Sequence, residues 1–223
     1  MIRIENLSYR SLAIDTLSIG TGVTSVIGAN GSGKTTLLKL CAGITVPDTG
    51  SVLIDNREPR KSDIGWVNEF PDRNFLFDTV SDEIASTLRF QHISPGDICQ
   101  RMEEIQNRFG LARLSARMVR ELSGGEKVLV ALAAAMIQDP RVLVLDECDS
   151  HLDACSIQAI DRIIHQSGIP FVLRSTQDME LASLSDHLVF LEKGRILFSG
   201  TPESVFAKLA DTAFYPLSWK CRA

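Results

Sequence analysis

The stretch that decides the fold is GANGSGKTT, Gly28 to Thr36. It fits the pattern G-x-x-x-x-G-K-[ST], with Gly28, Gly33, Lys34 and Thr35 in the fixed places. Val23 to Ile27 runs into it, apolar and rich in β-branched residues, and reads as a buried strand. Thr36-Leu-Leu-Lys-Leu-Cys-Ala runs out of it with the apolar stripe of a helix. A glycine-rich turn between strand and helix lets consecutive backbone N–H groups approach a polyphosphate closely. The helix N-terminus adds its partial positive charge. Lys34 would reach the β- and γ-phosphates, and the Thr35 hydroxyl would ligate Mg²⁺. Asn30, Gly31, Ser32 and Thr36 complete the expected nucleotide-binding loop.

Upstream, Ile2 to Leu7 and Leu12 to Ile19 alternate apolar and polar residues and predict antiparallel strands, with Tyr9 in the turn between them. Downstream, Pro47 to Gly50 predicts a turn, Ser51 to Ile54 a short strand, and Ile64 to Val67 another that ends in a loop at Asn68 to Asp72. From Thr79 to Arg120 the pattern is helical. One helix covers Ser81 to Phe90. A second opens at Ser94-Pro95, and its Ile98, Met102, Ile105 and Phe109 predict one buried face. Ser123-x-x-Glu126 has the form of a capping box and opens a helix that runs to about Gln138, before Pro140. Val142 to Leu145 is a fully apolar strand ending in Asp146-Glu147. A helix from about Asp153 and a strand from Pro170 to Leu173 lead into Ser175-Thr176-Gln177-Asp178. A hairpin of His187 to Leu191 with Arg195 to Ser199, then a helix near Thr201-Pro202, close the pattern. Strands alternating with helices predict an α/β fold with a largely parallel sheet, its antiparallel edge supplied by the first segments.

At 223 residues and 44% apolar content the chain suits one domain with a proper core. A net charge of −5 argues against a broad electrostatic footprint, so no nucleic acid is expected as partner. No apolar run is long enough to span a bilayer, and MIRIENLSYR lacks the apolar core of a signal peptide. The five cysteines are scattered and odd in number, with no CxxC pair, which predicts a reduced cytosolic protein without a disulfide framework. His92, His165 and His187 have no metal-ligand spacing to one another.

An aspartate at the carboxyl end of a buried parallel strand lies where ligands bind in open α/β sheets. Asp146 is therefore placed to hold Mg²⁺, and Glu147 to polarise an attacking water. With LSGGE at Leu122 to Glu126 added, nearly the whole chain resembles the ATP-binding cassette (ABC) ATPases. The resemblance implies a P-loop NTPase of ABC type: a mostly parallel sheet, an antiparallel β edge and a helical signature subdomain at about 79–137. A core of 1–68 and 138–210 would complete a single domain of 1–223. It implies ATP and Mg²⁺ as ligands, with Glu147 as the catalytic glutamate and Lys34, Gln177 and Glu69 beside it. Thr35, Asp146 and Glu69 would surround the metal. Tyr9 falls where the family has an adenine-stacking aromatic, though a tyrosine there also suits packing on the sheet. Ser150-His151-Leu152-Asp153 falls on the D-loop. Two such cassettes pair head to tail, so Ser123, Gly124 and Gly125 would serve the ATP of a second ABC chain.

Glu69-Phe-Pro-Asp-Arg-Asn-Phe75 with Thr79-Val80-Ser-Asp-Glu-Ile84, and Gly194 to Phe206, look like segments of energy-coupling-factor and cobalt-type importer ATPases. That likeness implies uptake of a vitamin or metal ion through a transmembrane coupling protein. It implies a cytoplasmic chain, peripheral on the inner face of the cell membrane, with Phe70 to Phe77 facing the membrane partner. Two positions depart from the family: Glu69 stands for a loop glutamine and Gln177 for a switch histidine. Glutamine keeps hydrogen-bonding capacity but never becomes cationic. The expectation is an ATP-hydrolysing importer subunit, and for its own site two readings stand side by side: one that binds ATP and hydrolyses it slowly, in a pair with a more active sister cassette, and a competent one in which Glu147 suffices and Gln177 substitutes for the histidine. The alternatives for the whole chain are a nucleotide-gated subunit of a heterodimeric ABC pair with little turnover, or a non-transport ABC ATPase. Cys148 and Asp149 stand where the family has Pro-Thr, with little consequence expected, Cys148 being read as a packing residue.

Overall fold

The computed structural model describes residues 1–150 and 152–220; His151 and Cys221 fall outside them. β1 (Ile2–Tyr9) and β2 (Leu12–Ile19) form an antiparallel hairpin in which Tyr9 pairs with Leu12. Tyr9 is thus the last residue of β1, and the turn is Arg10-Ser11, with Arg10 in the left-handed region at φ 54. β3 (Gly22–Ile27) passes through the glycine-rich loop into α1 (Lys34–Cys41). β4 (Thr49–Ile54) then returns to pair with β1. After it come β5 (Ile64–Val67), α2 (Val80–Phe90), α3 (Pro95–Phe109) and α4 (Gly124–Met136). β6 (Val142–Asp146), α5 (Ala154–Gln166), β7 (Phe171–Ser175) and α6 (Met179–Ser183) follow. β8 (His187–Glu192), β9 (Arg195–Gly200), α7 (Pro202–Phe206) and α8 (Leu217–Lys220) end the described chain.

The strands make two sheets. A six-stranded sheet has the order β5-β6-β7-β3-β8-β9, parallel throughout except for β9 at its edge. The first segments, expected from sequence to supply its antiparallel edge, instead build a separate antiparallel sheet in the order β2-β1-β4, and the edge is β9. Burial explains the division. β1 and β2 bury alternate residues and leave the others in water, whereas β6 and β7 are buried along their whole length and need cover on both faces.

That cover follows the period of two. Val142, Val144, Phe171 and Leu173 face a core shared with α1 and the antiparallel sheet. Leu143, Leu145 and Val172, one residue out of step, face a second core shared with α2, α4 and α5. α4 sits directly on β5: a Cβ at Gly65 would lie 2.5 Å from the Ala135 carbonyl oxygen, so only glycine admits the helix there. The helix starts are those the polar residues announce. Thr79, Ser94, Asp153 and Thr201 accept backbone N–H bonds at the starts of α2, α3, α5 and α7, and Ser123-Glu126 closes the capping box of α4. Because β7 lies between β6 and β3, the pairings Asp146–Ser175 and Val26–Ser175 bring three strand ends to one edge. The contacts among Thr35, Asp146, Glu147 and Ser175 follow from that adjacency.

Candidate active site

The glycine-rich loop is anchored on several sides. The Gly194 N–H donates to the Ser32 carbonyl at 2.9 Å, and the Ala13 N–H donates to the Gly194 carbonyl at 2.8 Å, tying the loop to the β8–β9 turn and the first hairpin. Gly28 at φ 148 passes so close to β8 that a Cβ would lie 2.1 Å from the Leu191 carbonyl oxygen. α1 starts at Gly33 without a side-chain cap and without an acidic residue in its first turn. The Ser32 hydroxyl is buried with no hydrogen-bond partner. Uncapped amides and an orphaned buried donor suit a bound phosphate.

Lys34 is only 4% exposed. Its Nζ donates to the Gly28 carbonyl at 3.0 Å and to the Ala29 carbonyl at 3.4 Å, and pairs with Glu147 Oε1 at 3.1 Å. The Thr35 hydroxyl donates to Asp146 Oδ1 at 3.0 Å. That oxygen also accepts the Ser175 hydroxyl at 2.7 Å, and Ser175 Oγ in turn accepts the Glu147 N–H at 3.0 Å. Glu147 holds φ 50, a left-handed conformation that costs a non-glycine residue about 1–2 kcal/mol and turns the chain sharply at the end of β6. Gln177 Nε2 donates to Glu147 Oε2 at 2.7 Å and to Asn30 Oδ1 at 3.2 Å.

The fold therefore joins Asn30, Lys34, Thr35, Asp146, Glu147 and Gln177, residues far apart in sequence, in one hydrogen-bonded cluster. An oxygen pair from Thr35 and Asp146 beside an anion-binding loop is a donor set that fits Mg²⁺. Glu69 lies two residues beyond β5 on the same carboxyl edge, half-buried. Tyr9 is half-buried on the core under the loop, opposite Leu12, with the Arg10 guanidinium 5.3 Å from its ring centroid. Ser123, Gly124 and Gly125 stand elsewhere. The Ser123 hydroxyl accepts the Glu126 N–H, and a Cβ at Gly125 would meet Leu152 and Ser156 near the start of α5. Within one chain they take no part in the hydrogen bonds of the Lys34–Glu147 cluster described above.

Three participants went unread in the sequence. Ser175 bridges Asp146 and Glu147. The Thr176 hydroxyl donates to Asp149 at 2.5 Å. Arg174, fully buried, donates to Asp161, Ser25, Ser185 and the Leu181 carbonyl. The signal was there: Arg174 and Ser175 are polar residues closing an otherwise apolar strand. Burial holds the Asp149 carboxyl above the usual carboxylate range, against the opposing bond from Thr176. Cys148 is buried in the core and its thiol is pushed up to about 12 by burial, as befits packing.

A family model described as ABC transporter matches residues 16–150. An energy-coupling factor transporter ATP-binding protein EcfA1 of Latilactobacillus sakei is 33% identical, covering 93% of this chain and 80% of its own length. A biotin transport ATP-binding protein BioM of Rhizobium etli is 32% identical, covering 89% of this chain and 90% of its own. The structure of cbiO1 from Clostridium perfringens, part of the ABC transporter complex cbiONQ, superposes with a TM-score of 0.83 at 27% identity. It covers 93% of this chain and 90% of its own.

Proposed function

We propose that this chain, which belongs to the ABC transporter family and is an ABC-type ATPase, is the ATP-hydrolysing subunit of an importer. It would energise uptake of a vitamin or metal ion through a transmembrane partner while paired with a second ABC chain. The observation that carries the reading is the convergence of Lys34, Thr35, Asp146, Glu147 and Gln177 on one sheet edge.

The loop amides and Lys34 hold the phosphates, and Tyr9 offers a face to the base. A triphosphate carries more negative charge than one carboxylate, so it draws Lys34 from Glu147 and leaves that carboxylate free to orient water. Mg²⁺, held by Thr35 and Asp146 with Glu69 near, would neutralise charge on the β- and γ-phosphates. Ser123, Gly124 and Gly125 close over the second chain's nucleotide. Residues 1–68 and 138–210 act as the core on which the helical part, about 79–137, is carried.

The membrane partner is assigned to the cleft of about 410 Å³ between β5, α2, α4 and the loop before α2, lined by Trp66, Phe75, Leu76, Thr87, Phe90 and Gln138. Leu76 is 73% and Phe90 64% exposed, and the buried Glu83 carboxylate accepts the Leu76 and Phe77 N–H groups, holding the loop. Among the described residues no helix is long and apolar enough to cross a membrane, which suits a peripheral subunit. The test is purification from membranes in mild detergent with mass spectrometry, beside ATP turnover by wild type and Glu147→Gln. A second cassette, a transmembrane protein and turnover lost in the variant are expected. A chain that isolates alone and hydrolyses equally well as Glu147→Gln overturns the proposal.

A specific observation favours a slow own site: Lys34 takes one oxygen of the Glu147 carboxylate, and the group bonded to the other, Oε2, is the neutral amide of Gln177, which cannot carry positive charge toward a γ-phosphate. Losing such a contact commonly costs about 10²-fold in rate. Brisk turnover by a purified homodimer would refute this second reading.

A further inference from the structure

We infer that Asp149 is a positioning residue that sets the Gln177 amide against the Glu147 carboxylate. The inference rests on the reading of Glu147 as the residue that orients water. The loop after β6 and the loop after β7 are joined twice. Outside, Gln177 Nε2 meets Glu147 Oε2 at 2.7 Å. Inside, the Thr176 hydroxyl meets Asp149 Oδ2 at 2.5 Å. Glu147 and Asp149 are two residues apart, and Thr176 and Gln177 are adjacent, so the two bonds close a ring through both backbones.

Every other part of that ring is held. Ser150 donates to the Glu147 carbonyl through its amide at 3.2 Å and its hydroxyl at 2.9 Å, and the Leu152 N–H donates to the Asp149 carbonyl. These bonds make the loop after Glu147 a closed turn. On the opposite side, Thr176 is fully buried, and its hydroxyl oxygen accepts the Asp178 N–H at 3.0 Å. Asp178 Oδ1 accepts the Glu180 and Leu181 amides, fixing the start of α6. Gln177 thus stands between two pinned residues, and the pin on its N-terminal side is the Asp149 carboxylate. The Arg174 charge favours the ionised form of this carboxyl, against the larger opposing effect of its burial. Asp149 itself touches no part of the phosphate loop in the bonds described, so its effect on the reaction passes through Thr176 and Gln177.

The test uses the full chain and the variants Asp149→Ala, Thr176→Val, Asp149→Asn and Glu147→Gln. ATP turnover is measured as kcat and KM, and amide hydrogen exchange is followed in segments 147–150 and 176–178 without nucleotide. Asp149→Ala and Thr176→Val should each lower kcat about tenfold, the value of one oriented hydrogen bond, with KM nearly unchanged. The double variant should be no slower than Thr176→Val, which already lacks the Asp149 bond along with the acceptor for the Asp178 N–H. Asp149→Asn keeps an acceptor and should retain most of the turnover. Exchange should rise in both segments together in Asp149→Ala and Thr176→Val, and stay low in Asp149→Asn. Unchanged exchange in either segment, additive losses, or a loss expressed in KM would overturn the inference. Turnover that survives in Glu147→Gln would instead overturn the reading of Glu147, and the exchange data would still decide the case of Asp149.

Discussion

Removing Asp161 should be among the most damaging single changes outside the phosphate loop. Arg174 Nη1 donates to Asp161 Oδ1 at 2.8 Å, with the two side chains 4% and 13% exposed. At that distance and an effective dielectric constant of about 20, the gross attraction is about 6 kcal/mol. Part of it offsets the desolvation of the carboxylate, so the pair as a whole contributes far less than that. Asp161→Ala, however, leaves the buried guanidinium with neutral hydrogen-bond partners, Ser25, Ser185 and the Leu181 carbonyl, and with Asp149 acting on it only through charge and not through a hydrogen bond. Breaking a buried pair from one side costs about 3–5 kcal/mol. The partial exposure of Asp161 places this case near the lower end, at about 3 kcal/mol, which lowers Tm by about 6–12 °C for a chain of this size. The double variant Arg174→Met, Asp161→Leu should lose less. Ser25 and Ser185 already bond each other at 2.6 Å, and the Leu181 carbonyl keeps the Leu184 N–H, so no buried group is stranded. Urea and thermal denaturation monitored by circular dichroism measure both. A Tm change under about 2 °C for Asp161→Ala, or a double variant worse than the single, would refute the argument.

Three further outcomes are expected. Asp149 is held above its ordinary value by burial, so folding takes up a proton between the two values, and stability falls as pH rises through that window. Asp149→Asn should match wild type in denaturation below the window and exceed it above, whereas parallel stability curves at all pH values would contradict the assignment. Gly28→Ala would drive a Cβ to 2.1 Å from the Leu191 carbonyl and should abolish binding of a fluorescent ATP analogue and lower Tm; near-normal binding would show that the loop relaxes. Brief maleimide treatment of the native chain followed by peptide mass spectrometry should label exposed Cys99 and Cys155 and spare buried Cys41 and Cys148, whose thiols are both pushed up to about 12. Labelling of Cys148 at the rate of Cys99 would mean that the loop after β6 opens readily.

The local chemistry of the chain was legible from sequence because it depends on neighbours in sequence. A strand before Gly28, a helix after Gly33, the caps Ser94 and Ser123, the buried face of α3 and the acids closing β6 are properties of spacing, and the structure reproduces them. The side on which β1 and β2 would pack was not, because alternation marks a half-buried strand without saying which sheet it joins; their solvated faces sent them to a separate sheet. Nor were the bonds that order the site. Ser175 on Asp146, Gln177 on Glu147, Asp149 on Thr176 and Arg174 on Asp161 each join residues whose nearness follows from the placement of β7 between β6 and β3 and the packing of α5 beneath. Sequence alone thus determined that this chain makes a phosphate loop and an acidic strand end. Tertiary structure decided how they are aimed, because a hydrogen bond depends on distances set by strand order, to which the residues of either strand alone are indifferent.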